Sequence, residues 1–156
     1  MRRFGVSFGA SVSSSAATAT NAIGLVTGTG RTCGIYEFIV GQSAVVNDAQ
    51  IRTDIFAVSA LSAGSTLTPA PLEMGNSAPA AVTGVSSTPT GVTTTGLSLL
   101  PLVFNSRATV RWAAVDPDSR IIIPAGGAAA GSLVVQNQQP GTVAGLTTLI
   151  HLYFVE

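Results

Sequence analysis

The sequence predicts an all-β protein, a two-sheet β-sandwich with a jelly-roll-like arrangement of strands. Short runs of β-branched and aromatic residues alternate with segments rich in Gly, Pro, Ser and Thr, and no apolar stripe at helical spacing has a useful length. The 156 residues suffice for one domain with a sizeable core. We expect about eight strands, one long loop and an extended N-terminal arm, which suits a sandwich.

Residues 1–30 are interpreted as the extended N-terminal arm, and residues 31–156 as the sandwich domain. No charged residue lies between Arg3 and Arg31. Recurring Val, Ile and Leu favour a segment that packs or drapes against protein over a disordered linker. The paired arginines also resemble a twin-arginine export signal, but glycines and serines interrupt the apolar run that follows.

Two strands are predicted early in the sandwich domain, each with alternate side chains on opposite faces. In "TCGIYEFIV" (Thr32–Val40) the two faces carry Cys33, Ile35, Glu37 and Ile39 against Tyr36, Phe38 and Val40. In "QIRTDIFAVSAL" (Gln50–Leu61) they carry Ile51, Thr53, Ile55 and Ala57 against Arg52, Asp54, Phe56 and Val58. Residues 62–96 contain four prolines and are expected to form a long loop with at most edge strands, because proline cannot donate to a strand ladder.

The later strands are punctuated by short turns. "LSLLPLVF" (Leu97–Phe104) and "RATVRWAAV" (Arg107–Val115) are predicted to form a tight hairpin around Asn105-Ser106, since Asn tolerates the left-handed backbone of such turns. "DPDSR" forms the next turn. Strands follow at "IIIP", "SLVVQNQ" and "LTTLIHLYFVE", and the last of these has the strongest pattern.

The glycine-rich loop after "IIIP" resembles a phosphate-binding loop only in part. Gly126 and Gly131 have the spacing of the pattern GxxxxGK[ST], but Ser132 occupies the lysine position and a strand is predicted where a helix should begin. The lysine and the helix supply the charge and dipole that hold the phosphates. We therefore interpret the loop as a wide turn of small residues that allows close backbone approach.

Few residue types suited to catalysis or metal binding are present. The chain has one histidine, His151, one cysteine, Cys33, and no lysine. These counts exclude a disulfide framework, a cysteine or multi-histidine metal cluster and Schiff-base chemistry. A Cys33–His151 nucleophilic pair stays open, with a structural strand histidine as its alternative. We expect no catalytic residue, no cofactor and no metal.

The charge pattern narrows the range of partners. Charged residues make up 9% of the chain and the formal net charge is zero, so no global field attracts nucleic acid or an anionic membrane. No apolar window is long enough for a membrane span. Long uncharged segments keep an isolated subunit poorly soluble, and this favours surfaces that are covered by other subunits.

Arg107, Arg111 and Trp112 are the strongest interface candidates in the sequence. Strand alternation would put the two arginines on one face and Trp112 on the other, and Arg and Trp are over-represented at interface hot spots. The alternative is a core tryptophan with two surface arginines that pair with carboxylates.

The order of several segments resembles that of the head decoration, or cement, proteins encoded near the major capsid protein of bacteriophages. The similarity covers Arg31 to Glu156 and is strongest in "FNSRATVRWAAV" and "TTLIHLYFVE". It also includes "QIRTDIFAVSA", "TLTPAPLEMGNSAPAA", "SSTPTGVTTTG", "LPLVF" and "IIIPAGGAAAGSLVVQN".

This resemblance implies a non-enzymatic structural virion protein, made in the host cytoplasm and placed on the outer capsid surface. It implies a homotrimeric β-sandwich that bridges major capsid protein subunits. In that setting we expect Arg2 and Arg3 to anchor the arm to carboxylates on the shell. The alternative function is a carbohydrate- or receptor-binding module, which needs an exposed aromatic platform. The candidates for it, Trp112, Tyr36 and Tyr153, all lie within predicted strands.

Overall fold

The computed structural model shows two antiparallel sheets packed face to face, and this confirms the predicted all-β sandwich. It describes residues 1–11, 20–28, 30–44, 48–62, 64–79, 82–87, 90–94, 98–126, 132–138 and 147–156. In these ranges the strands are β1 (Arg3–Ser11), β2 (Thr20–Thr27), β3 (Cys33–Ala44), β4 (Gln50–Ser62), β5 (Ser65–Leu67), β6 (Ala70–Pro71), β7 (Val82–Ser87), β8 (Thr90–Thr94), β9 (Leu100–Asn105), β10 (Val110–Ala113), β11 (Ile121–Ile123), β12 (Ser132–Gln138) and β13 (Thr147–Val155). A short 3-10 helix spans Pro117–Ser119.

The strand order is that of a jelly roll. Sheet 1 has the order β10-β3-β13-β1-β6, with β11 also paired to β3, and sheet 2 has the order β5-β7-β2-β12-β4-β8, with β9 also paired to β4. Apart from the short strands β5–β8, the chain changes sheet at each connection except β4 to β9 and β10 to β11. Repeated crossing between two antiparallel sheets is the organisation expected from the sequence.

Strand alternation fills the space between the sheets. On β13, Ile150, Leu152 and Phe154 are fully buried, at alternate positions of the strand. The ring of Phe154 stacks on that of Phe4 from β1, with centroids 5.5 Å apart. Burial of one such side chain stabilises the fold by roughly 1.5–3 kcal/mol. The core therefore joins both termini of the chain.

A β-bulge in β3 changes which side chains face the core. Tyr153 pairs with Glu37 and Phe154 pairs with Ile35, so Tyr36 is the extra residue. Before the bulge Cys33 and Ile35 are buried; after it Phe38 and Val40 are buried. The prediction of a single alternation along this strand was wrong, because one inserted residue exchanges the two faces of everything that follows.

The extended N-terminal arm predicted over residues 1–30 is replaced by two paired strands. β1 lies between β13 and β6, and its pairing with β13 runs from Arg3↔Val155 to Ser11↔Thr147. β2 lies between β12 and β7 in sheet 2. The lack of charge in this stretch predicts an arm that packs against other protein. In the structure its strands pack within their own domain, since Phe4, Ile23 and Leu25 contribute buried side chains to the core.

The hairpin predicted around Asn105-Ser106 is also corrected. β9 pairs with β4 in sheet 2, whereas β10 pairs with β3 in sheet 1, so this segment is a crossing between the sheets. Ser106 fixes the corner, since its backbone N–H donates to the Ala49 carbonyl at 2.8 Å and its hydroxyl accepts from Ala49 N–H at 3.1 Å. A turn residue alone does not specify which strand its neighbours pair with.

The long loop predicted over residues 62–96 contributes the short strands β5 to β8. β5, β6 and β8 lie at sheet edges, as expected for a proline-containing segment, whereas β7 lies between β2 and β5. The glycine-rich connection between β11 and β12 joins the two sheets, and its residues 127–131 lie outside the described residues. A strand, not a helix, begins at Ser132.

Candidate functional site

The two residues considered as a nucleophilic pair lie on opposite sides of sheet 1. Cys33 is fully buried in the core. Burial, with a smaller contribution from the charge of Glu156, raises the pKa of its thiol to about 12. His151 pairs in register with Ile39, well away from Cys33, and its Nδ1 lies 2.7 Å from the hydroxyl oxygen of Ser7 on the outer face. The geometry rejects the Cys33–His151 pair, because the thiol is neutral and has no access to the imidazole.

The predicted Arg–Trp cluster is divided between separate contacts. Arg107 precedes β10 and forms an ion pair with Asp48 at 2.8 Å, whereas Arg111 on β10 pairs with Glu37 at 2.6 Å. The hydrogen bond to Glu37 and the charge of that carboxylate raise the pKa of Arg111. Trp112 is half-buried and packs against the core. The arrangement is thus the alternative considered above, a packed tryptophan with two surface arginines paired to carboxylates.

The two arginines at the start of the chain have different environments. Arg2 donates to the Glu156 carboxylate at 2.8 Å, and that glutamate side chain is fully buried. Backbone hydrogen bonds in both directions between Arg2 and Glu156 hold the ends of β1 and β13 together. Arg2 therefore connects the ends of β1 and β13, whereas Arg3 lines a surface cavity.

That cavity carries several polar side chains, and we refer to it as the Arg3–Arg120 cavity. It has a volume of about 310 Å³ and lies where the starts of β1 and β3, the end of β13 and the segment between β10 and β11 come together. Its lining residues are Met1, Arg3, Tyr36, Ala114, Val115, Asp116, Pro117, Arg120 and Val155.

Local sequence builds one wall of this cavity. In "DPDS", Asp116 caps the 3-10 helix: its Oδ1 accepts from Ser119 N–H at 2.8 Å, and Ser119 Oγ accepts from Asp116 N–H at 3.1 Å. Pro117 at the first helical position fixes the backbone entering that turn. Because its carboxylate is engaged in the cap, Asp116 holds the segment that presents Arg120.

Gly34 has no side chain, and this leaves room for Arg120. A Cβ atom added to Gly34 would lie 3.3 Å from Arg120 Cδ, so the aliphatic stem of the arginine rests on the glycine backbone. Its Nη1 lies 3.4 Å from Met1 Sδ, a weak acceptor. Glycine at this point of β3 thus allows a long cationic side chain to lie against the sheet and reach the cavity.

Tyr36 forms another part of the lining, and the bulge in β3 puts it there. Its ring lies 6.3 Å from that of Tyr153, and the two planes are tilted by 34°. Burial raises the pKa of Tyr36, with a smaller opposing contribution from the charge of Arg3. The phenol is therefore neutral near pH 7 and able to donate a hydrogen bond.

The outer face of sheet 1 beyond this cavity has low relief, that is, few side chains project from it over β1 and β13. A Cβ on Gly5 would lie 2.9 Å from the Tyr153 ring, and a Cβ on Gly9 would lie 2.7 Å from Leu149 Cδ2. Tyr153 and Leu149 therefore lie across the glycines of the neighbouring strand. Ser7 lies between these glycines opposite His151, which gives the face small or flattened side chains over β1 and β13.

Sequence reasoning selected Arg3 but missed Arg120 and the role of Tyr36. The capping pattern "DPDS" directly before Arg120 was a usable local signal, whereas the bulge that turns Tyr36 outward has none. Among the described residues no group of three or more His, Cys, Asp or Glu side chains is arranged to hold a metal ion. No helix in those residues is long and apolar enough to cross a membrane.

Comparison of this chain with protein-family models, with curated proteins and with solved structures finds no match.

Proposed function

We propose that this protein is a structural virion protein that decorates a bacteriophage capsid and stabilises it by bridging major capsid protein subunits. It acts as a homotrimer on the outer surface of the shell and has no reactive centre. The resemblance of residues 31–156 to phage decoration proteins supports this function. The strength of attachment to the shell would come from many shallow contacts that symmetry repeats.

The observation that carries the proposal is the low-relief outer face of sheet 1. Gly5, Ser7 and Gly9 leave β1 almost without projecting side chains, and Leu149 lies flat with 38% of its surface exposed. Such a surface permits close approach of another subunit with little loss of side-chain freedom. The scarcity of charge is consistent with surfaces that are covered in the assembly.

The test combines the mass of the protein in solution with its binding to empty capsid shells. Sedimentation should give a trimer, and cryo-electron microscopy should show it at repeated positions outside the shell. The variant Ser7→Arg puts a long charged side chain on the face and should reduce trimer formation or shell occupancy. Thr66→Arg, at an exposed position of the edge strand β5, is the matched control and should behave as wild type. A monomer that ignores shells would refute the proposal.

A carbohydrate- or receptor-binding module is the second candidate, and one observation favours it. Tyr36 and Tyr153 form a half-exposed aromatic pair beside the Arg3–Arg120 cavity. Trp112 is less suited to a platform, because it packs against the core. Binding on a glycan array that is lost in Tyr36→Ala and retained in Arg107→Gln would support this candidate over capsid decoration.

A further inference from the structure

We propose that the Arg3–Arg120 cavity is a carboxylate-binding site that receives an acidic side chain of the protein to which this chain attaches. This inference rests on the proposed function and names the chemistry of one attachment point. It revises the expectation that Arg2 and Arg3 anchor an extended arm to carboxylates on the shell: Arg2 pairs with Glu156, and Arg3 lies in the paired strand β1.

The first argument is the distribution of ion pairs. Within the described part of the chain, carboxylates pair with the arginines at four positions, Arg2, Arg52, Arg107 and Arg111. Over the same ranges Arg3, Arg31 and Arg120 have no carboxylate partner, and of these three Arg3 and Arg120 line the same cavity. Asp116, the acidic residue of the lining, already accepts a hydrogen bond from Ser119 N–H. The cavity is thus lined by two arginines that have no carboxylate partner among the described residues.

The second argument is the chemistry of the donors. Guanidinium groups present parallel N–H donors that match the two oxygens of a carboxylate. The neutral hydroxyl of Tyr36 adds one more donor to the lining. The fold restricts both arginines, since the backbone of Arg3 lies in a paired strand and the stem of Arg120 rests on Gly34. Donors that are held in place before binding lose less conformational entropy when a ligand arrives.

The third argument concerns the rim and favours a protein ligand over a free anion. Met1 is 85% exposed and Val115 is 90% exposed, and both line the cavity. Ile122, whose Cδ1 is 3.4 Å from the position of a Gly34 Cβ, is 57% exposed beside Arg120. A small anion would leave these apolar side chains in water, whereas a protein surface with one acidic residue would cover them. Arginine together with nearby apolar surface is common in protein–protein interfaces, where arginine is enriched.

The test uses the full chain with Arg3→Gln, Arg120→Gln and the double variant. Arg31→Gln is the matched control, because Arg31 is an exposed arginine outside the cavity lining. Binding to empty shells is measured by co-sedimentation at physiological salt. We expect each single variant to weaken binding about fivefold, the double variant at least tenfold and the control less than twofold, on the scale of charge-assisted hydrogen bonds. Unchanged thermal unfolding midpoints show that the variants are folded.

A second measurement separates failure of this site from failure of the proposed function. ¹⁵N-labelled protein is titrated with acetyl-Glu-Glu-amide, with acetyl-Gln-Gln-amide and with inorganic phosphate, and the Tyr36 and Arg120 signals are followed. We expect saturable shifts with the acidic peptide alone, absent in the double variant. If wild type binds shells and the double variant binds equally well, the site is overturned while the proposed function stands. If wild type ignores shells, the proposed function fails and the peptide titration decides the site. No shift with the acidic peptide, or shifts of equal size with phosphate, would overturn it.

Discussion

A buried chain of polar side chains joins the two sheets near one end of the sandwich, and Asn137 is its central member. The Thr53 hydroxyl on β4 donates to Asn137 Oδ1 at 2.8 Å, and Asn137 Nδ2 donates to Thr148 Oγ1 on β13 at 2.9 Å. Gln42 on β3 continues the chain, with Nε2 3.0 Å from Thr148 Oγ1. Asn137 is 2% exposed, so water does not replace these partners.

Replacement of Asn137 by alanine should lower the free energy of unfolding by about 3 kcal/mol. Two hydrogen bonds are lost at about 1 kcal/mol each, and the buried hydroxyl of Thr53 loses its acceptor at a further cost of about 1 kcal/mol or more. Thr53→Val removes the donor with nearly the same shape and should cost about 1 kcal/mol. In a double-mutant cycle the two changes should couple by about 2 kcal/mol, because both remove the same hydrogen bond and the double variant no longer has an unpaired Thr53 hydroxyl.

Urea unfolding followed by intrinsic fluorescence is the assay, with the slope against urea expected to stay constant. Asn76→Ala is the matched control: this asparagine also hydrogen-bonds through its side chain, to Glu73 at 2.9 Å, but in an exposed position. Its effect should stay within about 0.5 kcal/mol. A loss below about 1 kcal/mol in Asn137→Ala, or an equal loss in the control, would refute the reasoning that the buried bridge connects the sheets energetically.

Three other results are expected. Cys33 should resist thiol reagents at pH 8 until the protein unfolds, because burial raises its pKa from 9.0 to about 12. The folded thiol favours its neutral form, so this contribution to stability is complete below pH 9 and is lost as pH rises toward 12. Between pH 9 and pH 11 the free energy of unfolding of the wild type should fall by about 2 kcal/mol relative to that of Cys33→Val, and a constant difference would contradict the assignment. Arg2→Gln should lower the free energy of unfolding by about 2 kcal/mol, since the Glu156 carboxylate is buried; an unchanged urea midpoint would show that the ion pair is dispensable. Deletion of residues 1–11 should abolish cooperative unfolding because β1 is an interior strand of sheet 1, and a truncated chain that still unfolds cooperatively would show that β1 is peripheral after all.

The last prediction also revises an experiment that the sequence suggests. If residues 1–30 formed an arm, their deletion would test attachment to a shell and leave the domain intact. In the structure this segment supplies β1 and β2, one strand in each sheet, so the deletion removes part of the core. Point substitutions at Arg3 and Arg120 are the appropriate test of attachment.

The sequence by itself determined the properties that depend on neighbouring residues. Alternation of side chains predicted the all-β fold and the strands at Gln50–Leu61 and at the end of the chain, which correspond to β4 and β13. Ser132 at the lysine position, followed by β-forming residues, correctly predicted a strand after the glycine-rich loop. These inferences succeed because strand geometry and turn preference act over a few residues.

Only the tertiary structure decided which strands pair and which side chains meet. Arg3 pairs with Val155 across almost the whole chain, and the corner at Ser106 directs its flanking strands into different sheets. The Arg3–Arg120 cavity combines the start of β1, a bulge in β3 and a capped turn before β11. Its donors come together because long-range pairing, which leaves no periodic signal in the chain, brings those segments to the same end of the strands of sheet 1.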